Sequence, residues 1–326
     1  MAARVFVSFT MLVRSLFKFA FVAVLAGSAL VQANPIARQE PNTCTTLNQR
    51  KSWAALTDSE KAAYIDAELS EITARLGAFL PWHRLFVRAH EILPQQECGY
   101  TGAQAYWDEL SDIEQINNGT LTFDQLVVFD SDTGFGGNGA GGDGCKTDGP
   151  FSNLTLHLNS SALPDPSGGY CLSRSFNLTQ FEGGNSSHLD TYFGHNTFED
   201  ARQCYEADPH AAGHGGVGGV MINIATSPGD PILFLHHTYL DRVWWQWQQA
   251  NLSSRLTDIS GGNVPTAEAL ARGNLSYPTP AILDYDGDPG NVTTLNHTLW
   301  MVDLIADATA GDVMDLGGPI SCAEYV

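Results

Sequence analysis

The chain has 326 residues, with 16 Lys and Arg against 36 Asp and Glu and a formal net charge of −20. That balance excludes nucleic acid and anionic membranes as partners, because both require clustered cations. The length suffices for one sizeable core, and no internal repeat or charged or proline-rich linker divides it.

In chain order, Arg14 and Lys18 precede the apolar run FAFVAVLAGSALV, after which Val31 and Ala33 supply the small residues of a cleavage site before Asn34. Residues 1–33 therefore read as a secretory signal and 34–326 as a single mature domain. The run ends at Asn34 and Pro35, too soon for a stable membrane span, and no second long apolar segment follows, so a secreted, extracellular chain with no membrane partner is expected. Six cysteines, none in a C-x-x-C pair, fit disulfides of an oxidising compartment, with the pairing left open. Sequons at Asn118, Asn153, Asn159, Asn177, Asn185, Asn251, Asn274, Asn291 and Asn296 predict a glycosylated surface.

The stretch LTDSEKAAYIDAELSEITARL opens with Thr57 and Glu60 in capping-box spacing and carries Ala62, Ala63, Ile65, Leu69 and Ile72 at helical intervals. WHRLFVRAHEIL predicts a second helix that stops near Pro94. GFGGNGAGGDG before Cys145 predicts a long surface loop; with no strand before it or helix after it, a phosphate-binding role has little support. Between Asn153 and His188 turn residues dominate and little regular structure is expected. Helices resume in NTFEDARQCYEADPHAAGH and DPILFLHHTYLDRVWWQWQQA, and Cys322 is expected to tie the turn-rich tail back to the body.

Two stretches carry chemistry. His210 and His214 lie four apart, which places both imidazoles on one helix face within reach of one metal ion. His236 and His237 sit in an apolar, aromatic run where an unpaired imidazole would be costly to bury, and Asp241 is one turn on, placed to accept a ring N–H or to anchor Arg242. Three neutral imidazoles suit copper, zinc or iron alike. A zinc hydrolase is disfavoured, since no H-E-x-x-H or comparable general base adjoins these residues. No further catalytic side chain is singled out.

SPGDPILFLHHTYLDRVWWQW resembles the second copper-site signature of tyrosinases and catechol oxidases, and FLPWHRLFVRAHE is similar to the end of their first. The resemblance runs from EKAAYIDAELS through ECGYTGAQAYWDE to CAEYV and is greatest to short fungal catechol-oxidase-like members. It implies a mainly α type-3 copper fold: a four-helix-bundle core with long disulfide-tied loops. In the family this core holds two copper ions on three histidines each and oxidises a phenolic substrate to an o-quinone with O2. Matched residue by residue, His83 falls on the last ligand of the first copper and His210, His214 and His237 on the ligands of the second. Asp241 and Glu91 fall on supporting acids, and His236 on the neighbouring histidine that is not a ligand.

Three departures qualify what the resemblance implies. Leu233 stands where the signature has Phe, and Ala211 stands where many monophenol-oxidising members carry Asn, which tilts the expectation toward catechols or aminophenols. The third is larger: no histidine precedes His83, the family position nine residues before it is Ala74, and the stretch between AYIDAELS and GAFLPWHR is some tens of residues shorter than in relatives. His90 does not fill the gap, since seven residues of helical rise is roughly 10.5 Å and two nitrogens on one metal each lie about 2 Å from it. His90 is expected to be a satisfied helix histidine, and His157, His188, His195 and His297 to be solvated. The expected function is a copper-dependent oxidase of o-diphenols or related phenolics, in secondary-metabolite or pigment formation. The alternative is a catalytically impaired secreted glycoprotein with a single copper at the second site.

Overall fold

The computed structural model describes residues 44–61, 64, 78–159, 165–223, 225–263, 287, 288, 290, 292–301 and 304–326. The signal read at 1–33, Ala74, and the sequons Asn274 and Asn291 lie outside these residues. So does most of the first predicted helix, although its capping box is present: Thr57 N–H donates to Glu60 Oε2 at 2.7 Å and Glu60 N–H to Thr57 Oγ1 at 3.3 Å.

Two long helices organise the core. Helix α1 (Phe79–Glu97) and helix α7 (Ile232–Gln249) pack against each other. Both bury residues on nearly every face, which is how a helix rich in aromatic and aliphatic side chains behaves at the centre of a domain. Between them in sequence lie α2 (Glu109–Asn117), α3 (Leu178–Phe181), α4 (Ser186–Gly194), α5 (Phe198–Tyr205) and α6 (Ala211–Val217); short helices α8 (Leu252–Arg255) and α9 (Ala310–Val313) follow. Pro94 does not end α1 as expected. It sits inside the last turn, and its carbonyl accepts from the N–H groups of both Cys98 and Tyr100, each at 3.1 Å, which closes the helix one turn later. The stretch 153–188 is also more ordered than expected, since Asn177 and Asn185 cap α3 and α4 with their side-chain oxygens.

Among the described residues sheet occurs as two-stranded pairs: β2 (Gly139–Ala140) with β3 (Cys145–Lys146), β4 (Thr155–Leu156) with β5 (Tyr170–Cys171), β6 (Thr298–Leu299) with β7 (Ala308–Thr309), and the pair formed by the first and last strands. The parallel pair β1 (Asn48–Arg50) and β8 (Ala323–Tyr325) joins the two ends of the described chain, and the Cys44–Cys322 disulfide locks it as expected. A second disulfide joins Cys145 to Cys171; Cys98 and Cys204 lie outside both bridges. The charges buried between α1, α7 and β1 are paired with one another. Arg50 donates to both oxygens of Glu91 at 3.2 and 3.1 Å, and Arg84 donates to Asp241 at 2.6 Å. At the start of α7, Arg174 holds both oxygens of Asp230 at 2.7 Å, and Asp230 accepts the Ile232 N–H at 3.2 Å. Helix α6 lies close on α3 because Gly216 has no side chain: a Cβ there would meet Phe181 Cβ at 2.8 Å.

Candidate metal centre

His210 closes a π-helical turn, Glu206–His210, that contains Pro209 and runs directly into α6. A proline removes one backbone donor, and the wider turn absorbs the loss; such turns recur at functional sites. His214 follows one turn later, its ring centre 4.7 Å from that of His210. His237 enters from α7, with ring centres 5.5 Å from His210 and 5.4 Å from His214. The Nε2 atoms of His214 and His237 are 3.3 Å apart, and one nitrogen of each of the three rings lies within 4.8 Å of the others.

Tautomers are set by the backbone. His214 Nδ1–H donates to the Met221 carbonyl at 2.7 Å, which leaves the lone pair on Nε2 facing His237. His83 Nδ1–H donates to the Phe79 carbonyl at 2.5 Å, and its ring stacks on His237 at 4.2 Å and 13°. Burial is the first cause of lowered pKa values throughout, to about 4 for His83 and about 3 for His214, with His210 and His237 also held well below the ordinary value. All four imidazoles are therefore neutral at ordinary pH, the form that ligates metal.

Residues 45–250 match the common central domain of tyrosinase. The chain belongs to the tyrosinase family. It is 25% identical to a tyrosinase-like protein of Diaporthe leptostromiformis over 94% of this chain and 84% of that one. It is 24% identical to the N-acetyl-6-hydroxytryptophan oxidase of Emericella nidulans over 91% of this chain and 98% of that one. A polyphenol oxidase variant from Thermothelomyces thermophila shares the fold, with a TM-score of 0.67 and 23% identity over 86% and 89% of the two chains. The type-3 copper fold, with its helical core, is thus the fold of this chain, and copper is the metal that the tyrosinase family implies.

The residues of this tyrosinase-family chain fit one such ion. Two nitrogens bound at about 2 Å each lie no more than about 4 Å apart; the His214–His237 pair meets this, and shifts of about 1 Å close the set of three. His83 reaches the same cavity, but His210, His214 and His237 are the single converging donor group among the described residues. His90 is a core histidine as expected, stacked on Phe234 at 3.5 Å with Nδ1 2.8 Å from Gln104 Oε1.

The supporting acids take different roles. Glu91 is a structural acceptor for Arg50, Arg88 and the Gln104 N–H. Asp241 departs from its expected part: it accepts from Arg84 and from the Tyr325 hydroxyl at 2.6 Å each, while Arg242 stacks over Tyr106. The reason is position, since Asp241 faces α1 and β8, where two buried guanidinium groups need a carboxylate. His236 lies outside the donor group. Its Nδ1 is 2.5 Å from Oε1 of Glu109, a partner the spacing of motifs could not disclose because it stands 127 residues away. Burial raises the Glu109 carboxyl and lowers His236 to about 3, so each partner resists carrying a net charge.

A cavity of about 480 Å³ opens over the three histidines, walled by Phe79, Trp82, Phe86 and Leu233, with Gln180, Glu206 and Ala211 among its remaining lining. The other histidines are elsewhere: His157 bonds the Gly168 carbonyl, His188 and His297 pair with Asp208 and Asp288, and the His195 carbonyl accepts from Trp247. Of the sequons, Asn118, Asn153, Asn177, Asn251 and Asn296 are exposed and Asn159 and Asn185 half-buried. Among the described residues no helix is long and apolar enough to cross a membrane.

Proposed function

We propose that this chain is a copper-dependent oxidoreductase of the tyrosinase type, secreted and glycosylated, that oxidises o-diphenols or related phenolics to o-quinones with O2. Its ion is held by His210, His214 and His237. The observation that carries this reading is the convergence of these three neutral imidazoles on the floor of an aromatic-walled cavity. Copper bound there supplies the redox chemistry between substrate and O2. Phe79, Trp82 and Phe86 exclude water and present flat faces to a planar phenol ring. Ala211 offers no polar atom beside His210, so the pocket favours a catechol or aminophenol over a phenol whose proton must first be drawn away. A relative named for oxidising N-acetyl-6-hydroxytryptophan supports the phenolic class; a role in pigment or secondary-metabolite formation is proposed with it.

A second reading is favoured by one observation: His83 stands without the companions a first copper site requires. On that reading the chain holds a single copper and its oxidase activity is impaired. Oxygen uptake and quinone absorbance on 4-methylcatechol, measured with the copper-loaded secreted chain, separate the two. Two catechols give four electrons and four protons to one O2, so uptake at half the rate of quinone formation supports the oxidase. No uptake above free copper, with copper bound, supports the second reading and overturns the first.

A further inference from the structure

We propose that Glu109 and His236 form a buried pin that fixes how the π-turn and α6, bearing His210 and His214 respectively, stand against α7, bearing His237, which makes Glu109 a positioning residue for the metal centre. The inference rests on those three histidines being the copper site.

Glu109 is the first residue of α2, and its side chain and that of His236 are both wholly buried. The His236 ring fills the gap left by Gly213, which lies in sequence between His210 and His214. A Cβ at Gly213 would stand 2.2 Å from Cε1 and 2.3 Å from Nδ1 of that ring. The ring centre of His236 is 5.0 Å from His214, 5.0 Å from His237 and 6.0 Å from His210, so it is wedged behind all three. A wedge of this kind sets spacing only if its own rotation is fixed, and the bond to Glu109 Oε1 fixes it. The arrangement is not the cheapest way to fill a core. Glu109 Oε2 is buried with no hydrogen-bond partner among the described residues, whereas an apolar pair would leave no polar atom unsatisfied. A polar pair retained at that cost, directly behind a ligand set, points to orientation of the ligands.

The test uses the full secreted chain as wild type, Glu109→Leu and Glu109→Gln. Copper affinity is measured by competition with a chromogenic chelator, the Cu(II) signal by electron paramagnetic resonance, and the melting temperature without copper. Loss of an outer partner of a metal ligand typically weakens binding by about 10- to 100-fold. Glu109→Leu is expected to lose at least about tenfold in affinity and to change the copper hyperfine splitting. Glu109→Gln, whose amide oxygen still accepts from Nδ1–H, is expected to stay within about threefold with the wild-type signal. Wild-type affinity and signal in Glu109→Leu, whatever its melting temperature, would overturn the pin. If Glu109→Leu is not secreted, His236→Phe keeps the ring volume without the bond and is expected to show the same weakening; wild-type affinity there overturns the proposal equally. A wild-type chain that binds no copper would refute the metal site itself, a distinct failure.

Discussion

At the scale of single residues, partners rather than burial separate the converging imidazoles from the other histidines: His90 and His236 are buried, while His210 and His214 are half-buried. His83 and His90 share one face of α1, yet His83 reaches the cavity over His237 while His90 stacks on Phe234 and bonds Gln104. His90→Leu should therefore leave copper content unchanged while costing stability on the order of 1–3 kcal/mol, because Gln104 loses a partner. Urea unfolding and elemental analysis check the two halves, and a drop in copper would contradict the assignment. Much of this was legible in the sequence: the i,i+4 spacing of His210 and His214 and the run around His237 singled out the three imidazoles that converge. Glu109 was not legible, because a single acid after an aromatic pair carries no mark of a partner 127 residues away. The partners of Asp241 were misread for a related reason, since spacing along α7 says which side chains share a face but not which buried cations lie opposite.

At the scale of elements, the α1–α7 pair is held by charge as well as by packing. Asp241 is the carboxylate for both Arg84 and Arg50, and Asp241→Ala would leave these buried guanidinium groups without it. A loss of about 3–5 kcal/mol is expected, read as a lowered melting temperature of the copper-free chain; a change within about 0.5 kcal/mol would show that the network is dispensable. Helix α2 carries a pH-dependent strain. Burial, with Asp108 and Glu109 nearby, pushes the Asp112 carboxyl up to about 7 although Trp107 donates to it. The folded chain then holds a proton that the unfolded chain has released, so this group's contribution falls as pH rises from about 4 to about 7 and is level above. Asp112→Asn should accordingly gain stability over wild type across that window, with little difference at pH 4; an advantage independent of pH would rule out this titration. The presence of α1 and the extent of α7 were readable from periodicity. The closure of α1 beyond Pro94 was not, because it depends on two N–H groups returning to one carbonyl.

For the whole molecule, the two ends of the described chain meet in the β1–β8 pair and the Cys44–Cys322 bridge, which spans 278 residues. Closing so long a loop removes much entropy from the unfolded chain, and Cys322→Ser should cost on the order of 5 kcal/mol in denaturant unfolding. A cost near zero would mean that the strand pair alone suffices. The apolar leader and the sequons gave the expectation of secretion, and the two motif stretches gave the family that residues 45–250 match. What motifs could not supply was the count of complete metal sites, since that depends on which nitrogens converge in space. The most direct test is therefore the copper content of the purified chain and of its His214→Ala variant, loaded and desalted side by side. The account predicts that the variant loses about one copper per chain relative to wild type. Equal copper in the two proteins would place the metal elsewhere and contradict the assignment of His210, His214 and His237.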